Sequence, residues 1–285
     1  MCRVAESFAA RFAAVRSAHG PLVCGLDPSG ELLDGWRLGD TPDGLDRFAD
    51  IMLEAVAGRV GVVKPQSAFY ERHGWRGIRT LQRLVASARA AGLLVILDIK
   101  RGDVGSTNDA YAEAYLGTRA PLAADAITVH PYLGLGAMDT FVSRAEESGS
   151  CLLVVTRSSN PEGRAVQAAV ARRGSTVTVE EQLLRDIGAL NERLAPGRIG
   201  PVGAVIGPTN LNPRLDLAAA NCLFLAPGVG AQGATPADVA TVFAACRDRV
   251  MPSASRSLLA AGPDVSRLAD VAAALAGEFR AALRS

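Results

Sequence analysis

Residues 93–103 read Leu93-Leu94-Val95-Ile96-Leu97-Asp98-Ile99-Lys100-Arg101-Gly102-Asp103. Five apolar residues in succession give way to Asp98, Lys100 and Asp103 within six positions. A run that is apolar at every position suits a strand covered on both faces, which is the situation of a parallel sheet. Alternate side chains of a strand share a face, so Asp98 and Lys100 point one way and Ile99 the other. Gly102 permits a turn, after which Asp103 is free to reach elsewhere, including across a subunit boundary.

The same kind of run recurs along the chain at 21–26, 60–63, 126–129, 151–155, 202–206, 222–226 and, more weakly, 249–251. With 93–97 these make eight. The segments between them carry apolar residues at helical spacing, as in Leu45, Phe48, Met52 and Val56, or Ile78, Leu81, Leu84 and Val85. Eight strands alternating with helices describe an α/β fold of the (β/α)8 TIM barrel type, and 285 residues fit one such domain. Gly262-Pro263-Asp264 starts the last helix, on which Val265, Leu268, Val271, Leu275 and Phe279 recur. Stretch 157–190 is longer than a plain strand-to-helix connection needs, so a loop insertion is expected there at the mouth of the barrel, of the kind that forms lids. At the other end of the chain, Val4, Phe8, Phe12 and Val15 predict a helix closing off a core in preference to a transit peptide.

Composition excludes several classes of function. Thirty basic against 29 acidic residues leave a net charge of +1 without a basic run, and only 5% of residues are aromatic, so no nucleic-acid surface is indicated. No uncharged run approaches membrane-spanning length. Cys2, Cys24, Cys151, Cys222 and Cys246 lack CxxC spacing, and three of them sit in apolar runs, which reads as reduced core thiols of a cytoplasmic protein. His19, His73 and His130 are scattered and form no zinc-binding cluster; His130 follows a strand and reads as structural. Among the 30 basic residues only Lys64 and Lys100 are lysine, and both end apolar runs. Arginine keeps its proton near neutral pH whereas a lysine can hand one over, so these two are the candidates for proton transfer.

Chemistry in a barrel of this type sits at the C-terminal strand ends. Asp27, Lys64, Asp98 with Lys100, and Ser158 with Ser159 all fall at such ends. After the seventh run comes Ala226-Pro-Gly-Val-Gly-Ala-Gln-Gly-Ala-Thr235-Pro236, a literal GxGxxG at Gly228, Gly230 and Gly233. Its context is wrong for a dinucleotide site, because it follows the seventh strand and the helix begins only at Thr235-Pro236. Loops after strands seven and eight of a barrel often hold a phosphate through backbone N–H groups, and Arg256, just past the eighth run, could grip it.

With those residues in hand, the chain resembles the orotidine 5′-phosphate decarboxylase family, in particular its long bacterial branch. The resemblance is carried by Leu26-Asp27-Pro28, Val63-Lys64-Pro65-Gln66-Ser67-Ala68-Phe69-Tyr70-Glu71, the DxKxxD array from Asp98 to Asp103 with Val104-Gly105-Ser106-Thr107, Ser158-Ser159-Asn160-Pro161, the PGxGxQG segment from Pro227 to Gly233, and Ser255-Arg256. It implies conversion of orotidine 5′-phosphate to UMP without metal or cofactor, in a homodimer whose active sites are shared. By resemblance, Lys64, Asp98 and Lys100 with the partner's Asp103 form a charged array, Asp27 and the partner's Thr107 hold the ribose, Ser159 meets the pyrimidine, and Gln232, Gly230, Gly233 and Arg256 meet the phosphate. DxKxxD by itself also marks sister barrels acting on sugar phosphates with Mg2+, which is the competing enzyme class; a non-catalytic phosphate-binding barrel is the third. The interleaved lysines argue against the second, and retention of both lysines and both aspartates against the third.

Overall fold

Strand formation follows from burial on both faces. In the computed structural model, which describes residues 5–284 except 118, 210, 211, 213, 231 and 232, the strands are β1 (Val23–Leu26), β2 (Val62–Pro65), β3 (Leu94–Arg101), β4 (Ala126–Val129), β5 (Cys151–Arg157), β6 (Val202–Ile206), β7 (Phe224–Ala226) and β8 (Val250–Ala254). Each pairs in parallel with the next, and β8 returns to β1 through Val23 opposite Ser253 and Cys24 opposite Ala254, closing an eight-stranded barrel. All eight apolar runs are therefore strands. The weakest, 249–251, extends to Ala254, because Pro252, Ser253 and Ala254 are buried between β7 and β1 despite their less apolar character.

Side chains separate by parity. Val62, Leu94, Ile96, Ala126, Leu153, Val205, Leu225 and Met251 fill the barrel, while Val63, Val95, Leu97, Ile127 and Leu152 face the helical ring. The expected N-terminal helix is Phe8–His19; its Phe8 and Phe12, about 1% exposed, join the interior cluster and plug the end of the barrel away from the strand C-termini. Burying two such rings contributes roughly 1.5–3 kcal/mol each. Val4 lies outside the described residues.

Side-chain caps open several of the helices, two of them at the signals Thr235-Pro236 and Gly262-Pro263-Asp264 read from the sequence. Thr41 caps Pro42–Val56, the capping box of Thr235 and Asp238 opens Pro236–Val242, and Asp264 accepts from the Arg267 N–H at 2.8 Å to open Val265–Ala282. Stretch 157–190 is in part helical. After β5 come a 3-10 turn at Pro161–Gly163, a short helix at Arg164–Gln167 and a bridge between Val170 and Thr178. The capping box of Thr178 and Glu181 then starts the helix Val179–Leu194, so the irregular excursion over the mouth ends at Thr178. Arg157 and Glu180, both buried, pair at 2.7 Å and tie that helix start to β5. No helix among the described residues is long and apolar enough to cross a membrane. Cys24, Cys151, Cys222 and Cys246 are free and buried, with burial pushing Cys24 and Cys151 up to about 12; Cys2 lies outside the described residues.

Candidate active site

Interior parity continues into the site. Lys64 follows Val62, Asp98 follows Ile96, and Thr128 follows Ala126, each two residues on, so all three side chains rise from the filled barrel toward its C-terminal mouth. There Asp98 is the hub. Its Oδ2 accepts from Lys64 Nζ at 2.9 Å, and its Oδ1 accepts from Lys100 Nζ at 2.6 Å and from Thr128 Oγ1 at 2.7 Å. Lys64 and Asp98 are almost wholly buried, whereas the Lys100 side chain keeps 39% of its surface toward the mouth.

Burial opposes ionisation of Asp98, but the two ammonium groups and the Lys100 and Thr128 hydrogen bonds outweigh it and hold the carboxyl well below the usual range. Burial likewise works to lower Lys64, and Asp98 first, then Asp27, reverse the balance and raise it. Each buried charge thus persists because the others are present.

Lys100 reaches Asp98 by a departure from regular strand geometry. Its φ is +47°, in the left-handed region, and the β3–β4 register shifts between Leu97 and Arg101. Such irregularities re-aim a side chain, and a non-glycine residue held there costs about 1–3 kcal/mol. The displaced backbone is held by Thr128, whose Oγ1 accepts the Lys100 N–H at 3.1 Å, while Gln66 Oε1 accepts from Lys100 Nζ at 3.3 Å. Thr128 and Gln66 were not among the residues picked out from the sequence as site residues; the two-residue step from Ala126 is the signal that could have found Thr128.

Asp27 stands at the end of β1, close enough to contribute to raising Lys64. Its Oδ1 and the Ser255 Oγ are buried and have no hydrogen-bond partner among the described residues. Gly25 makes this corner possible: a Cβ there would lie 2.6 Å from Ser255 Cβ and 3.1 Å from Asp27 Oδ2. Asp103 and Thr107 are not brought to the array of their own chain. Asp103 Oδ1 accepts from the Val104 N–H at 2.8 Å, Asn108 Oδ1 holds the Asp103 N–H at 3.0 Å, and Thr107 is exposed on the helix Ser106–Tyr115.

A cavity of about 770 Å³ opens beside Lys100, with His130, Thr156, Asn160 and Gln167 on its walls. Asn160 also borders a second cavity of about 740 Å³ that contains Ser159 and Gly233. Both volumes suit a small-molecule ligand. His130, read as structural, stands at the mouth; burial first and Lys100 second hold its pKa below the ordinary value, with Asp98 opposing.

Gly228, Gly230 and Gly233 all take positive φ. Two of their N–H groups are engaged within the turn: Gly230 N–H donates to Ala234 O at 2.9 Å and Gly233 N–H to Gly230 O at 3.1 Å. Gly230 also supplies a close approach. A Cβ on Gly230 would sit 3.3 Å from Ser257 Oγ, so the loop after β7 abuts the residue next to Arg256, which is exposed at the first position of the helix Arg256–Leu259. Gln232 lies outside the described residues.

Among the described residues no group of three or more His, Cys, Asp and Glu side chains is arranged to hold a metal ion. A closed parallel barrel with a Lys-Asp-Lys cluster at its C-terminal mouth, a glycine turn against Ser257, and two cavities that share Asn160 defines the class, a (β/α)8 enzyme with its site at the strand C-termini. The chain belongs to the orotidine 5′-phosphate decarboxylase / HUMPS family, whose model matches residues 20–271. It is 48% identical over 278 residues to an orotidine 5′-phosphate decarboxylase of Salinispora arenicola, covering 98% of this chain and 99% of that one, and 47% identical over 278 residues to one of Streptomyces coelicolor with the same coverage. The crystal structure of a Streptomyces avermitilis protein assigned the same activity superposes with a TM-score of 0.91 at 46% identity, covering 99% of this chain and 97% of that one.

Proposed function

We propose that this protein is the carboxy-lyase that converts orotidine 5′-phosphate to UMP and CO2 in pyrimidine biosynthesis, with Lys100 as proton donor and without a metal or organic cofactor. The observation that carries the chemistry is the relay itself. When the bond to CO2 breaks, its electron pair stays on a ring carbon with little internal delocalisation. An ammonium fixed beside that carbon stabilises the developing charge and then delivers the proton. At 4 Å and an effective dielectric near 20 the attraction is about 4 kcal/mol, against about 1 in water. Lys64 and Asp98 keep Lys100 oriented, and Asp98 beside the substrate carboxylate disfavours the ground state.

A Mg2+-dependent sugar-phosphate reaction fits this site less well, because both Asp98 oxygens already accept from ammonium groups that would repel a cation. Asp27 holds the ribose; its unpartnered buried oxygen supports that role. Ser159 meets the pyrimidine, and Arg256 with the Gly230–Gly233 turn and Gln232 takes the phosphate. The protein works in the cytoplasm as a homodimer in which Asp103 and Thr107 complete the partner's site. Their position away from their own array supports this, as do the exposed Val104, Tyr132 and Leu133 on the same rim.

The test is the ultraviolet change on orotidine 5′-phosphate consumption, before and after exhaustive chelation. Undiminished turnover is expected, with Lys100→Ala slower by several powers of ten while still binding UMP. Chelation-sensitive activity restored by Mg2+, or a Lys100→Ala variant of near-normal turnover, would overturn the assignment.

A further inference from the structure

Outside the relay, one cluster of charged side chains is built against its backbone. Glu71 Oε1 accepts from Arg101 Nη2 at 2.6 Å and from Ser67 Oγ at 2.5 Å. Arg101 directly follows Lys100, and Ser67 directly follows Gln66, whose Oε1 meets Lys100 Nζ. One carboxylate oxygen therefore joins the immediate neighbours of the two residues that meet at the Lys100 ammonium. The Arg101 guanidinium also lies 5.9 Å from the centre of the Tyr111 ring, on the helix Ser106–Tyr115. Its backbone is pinned as well, since Arg101 O accepts from the His130 N–H at 2.8 Å.

From this geometry we propose that Arg101 and Glu71 are positioning residues for Lys100: the pair locks the left-handed turn of β3 and sets the gap between the ends of β2 and β3, so that Lys100 Nζ sits where the proton must be delivered. Strain in the backbone at Lys100 persists only while its surroundings over-determine it, and residue 101 is the first covalent point beyond the strained torsion. A planar guanidinium suits the task because it can meet Glu71 with its N–H groups and the Tyr111 ring with its face, which an ammonium cannot do as well. The inference rests on the reading of Lys100 as proton donor.

Arg101→Met, Arg101→Lys, Glu71→Gln and the double variant Glu71→Gln/Arg101→Met would be compared by steady-state kinetics. Lys100 delivery would be followed separately through exchange of the corresponding ring proton of UMP with solvent deuterium, read by NMR. A misplacement of the ammonium by about 1 Å predicts that Arg101→Met lowers kcat and the exchange rate by ~10²-fold. KM should change by less than about threefold, the signature of an interaction expressed in the transition state. Arg101→Lys should recover part of the loss, and the double variant should be no slower than Arg101→Met because the two side chains act as a unit. Both side chains are about one-third exposed, so the variants should fold, and thermal melting checks it. If Arg101→Met fails to fold, the same kcat-only loss is required of Glu71→Gln. Unchanged kcat and exchange, a rise in KM alone, or single losses that multiply in the double variant would overturn the proposal. Lys100→Ala run in parallel separates the two ideas: if it is inactive while Arg101→Met matches wild type, only the clamp is wrong, and if it is active the donor assignment itself is wrong.

Discussion

Thr128→Val replaces a hydroxyl by a methyl of nearly the same shape at a position 1% exposed. Two links disappear together: the Thr128 bond to Asp98 Oδ1 at 2.7 Å and acceptance of the Lys100 N–H at 3.1 Å. A hydrogen bond to a charged group is worth about 1.5–3 kcal/mol, and leaving an N–H without its partner costs about 1–3 kcal/mol. The Lys100 side chain is partly exposed, which favours the lower end of the second figure, so a stability loss of about 2.5–4 kcal/mol is expected. If half of that is expressed as misplacement of Nζ in the transition state, turnover falls roughly twentyfold, at about 1.4 kcal/mol per factor of ten. Thr128→Ser keeps the oxygen and should behave close to wild type. Urea denaturation supplies the stability change and the ultraviolet assay the turnover. A Thr128→Val protein within about 1 kcal/mol of wild type in stability and within about twofold in kcat would refute the view that this hydroxyl joins the displaced strand to the hub, given the usual scatter of surface substitutions.

Two further outcomes follow from the same geometry. The depressed Asp98 carboxyl contributes stability that is complete above its ordinary value of 3.8 and is lost as pH falls below that toward its folded value, whereas the raised Lys64 contributes below 10.5 and loses its contribution only as pH climbs through its folded value. Asp98→Asn should therefore be less stable at neutral pH by about 3–5 kcal/mol, since it strands Lys64, and should show a flatter decline below about pH 4; denaturation midpoints across pH measure both, and an unchanged acid limb would count against the hub. Mixing inactive Lys100→Ala and Asp103→Ala chains should restore roughly a quarter of wild-type activity, because about half the dimers are mixed and each has one intact site. Mixtures shown by tagging to exchange subunits that stay inactive would place Asp103 in the service of its own chain.

The barrel was legible in the sequence because a parallel strand under a helical layer must be apolar on both faces, which eight short runs such as Leu94 to Leu97 display without alternation. The relay was legible for a related reason. Lys64 and Asp98 each stand two residues beyond an interior-facing apolar residue, and Lys64 and Lys100 are the two lysines of the chain. Other features depended on strand register and closure, which no local pattern encodes. Thr128 matters because β4 lies beside β3 in the one register that brings its hydroxyl to both Asp98 and the Lys100 N–H. The left-handed turn at Lys100 is stabilised by contacts from Gln66, Thr128 and the Glu71–Arg101 pair, residues up to 34 positions away in sequence. Asp27, Gly25 and Ser255 form a corner only because β8 closes on β1. The place of the glycine turn after the seventh strand suggested backbone N–H groups facing a phosphate, and only folding shows that Gly230 and Gly233 use theirs within the turn. Local chemistry thus determined which groups stand at the barrel mouth, while the distances that make them a site came from strands far apart in the chain.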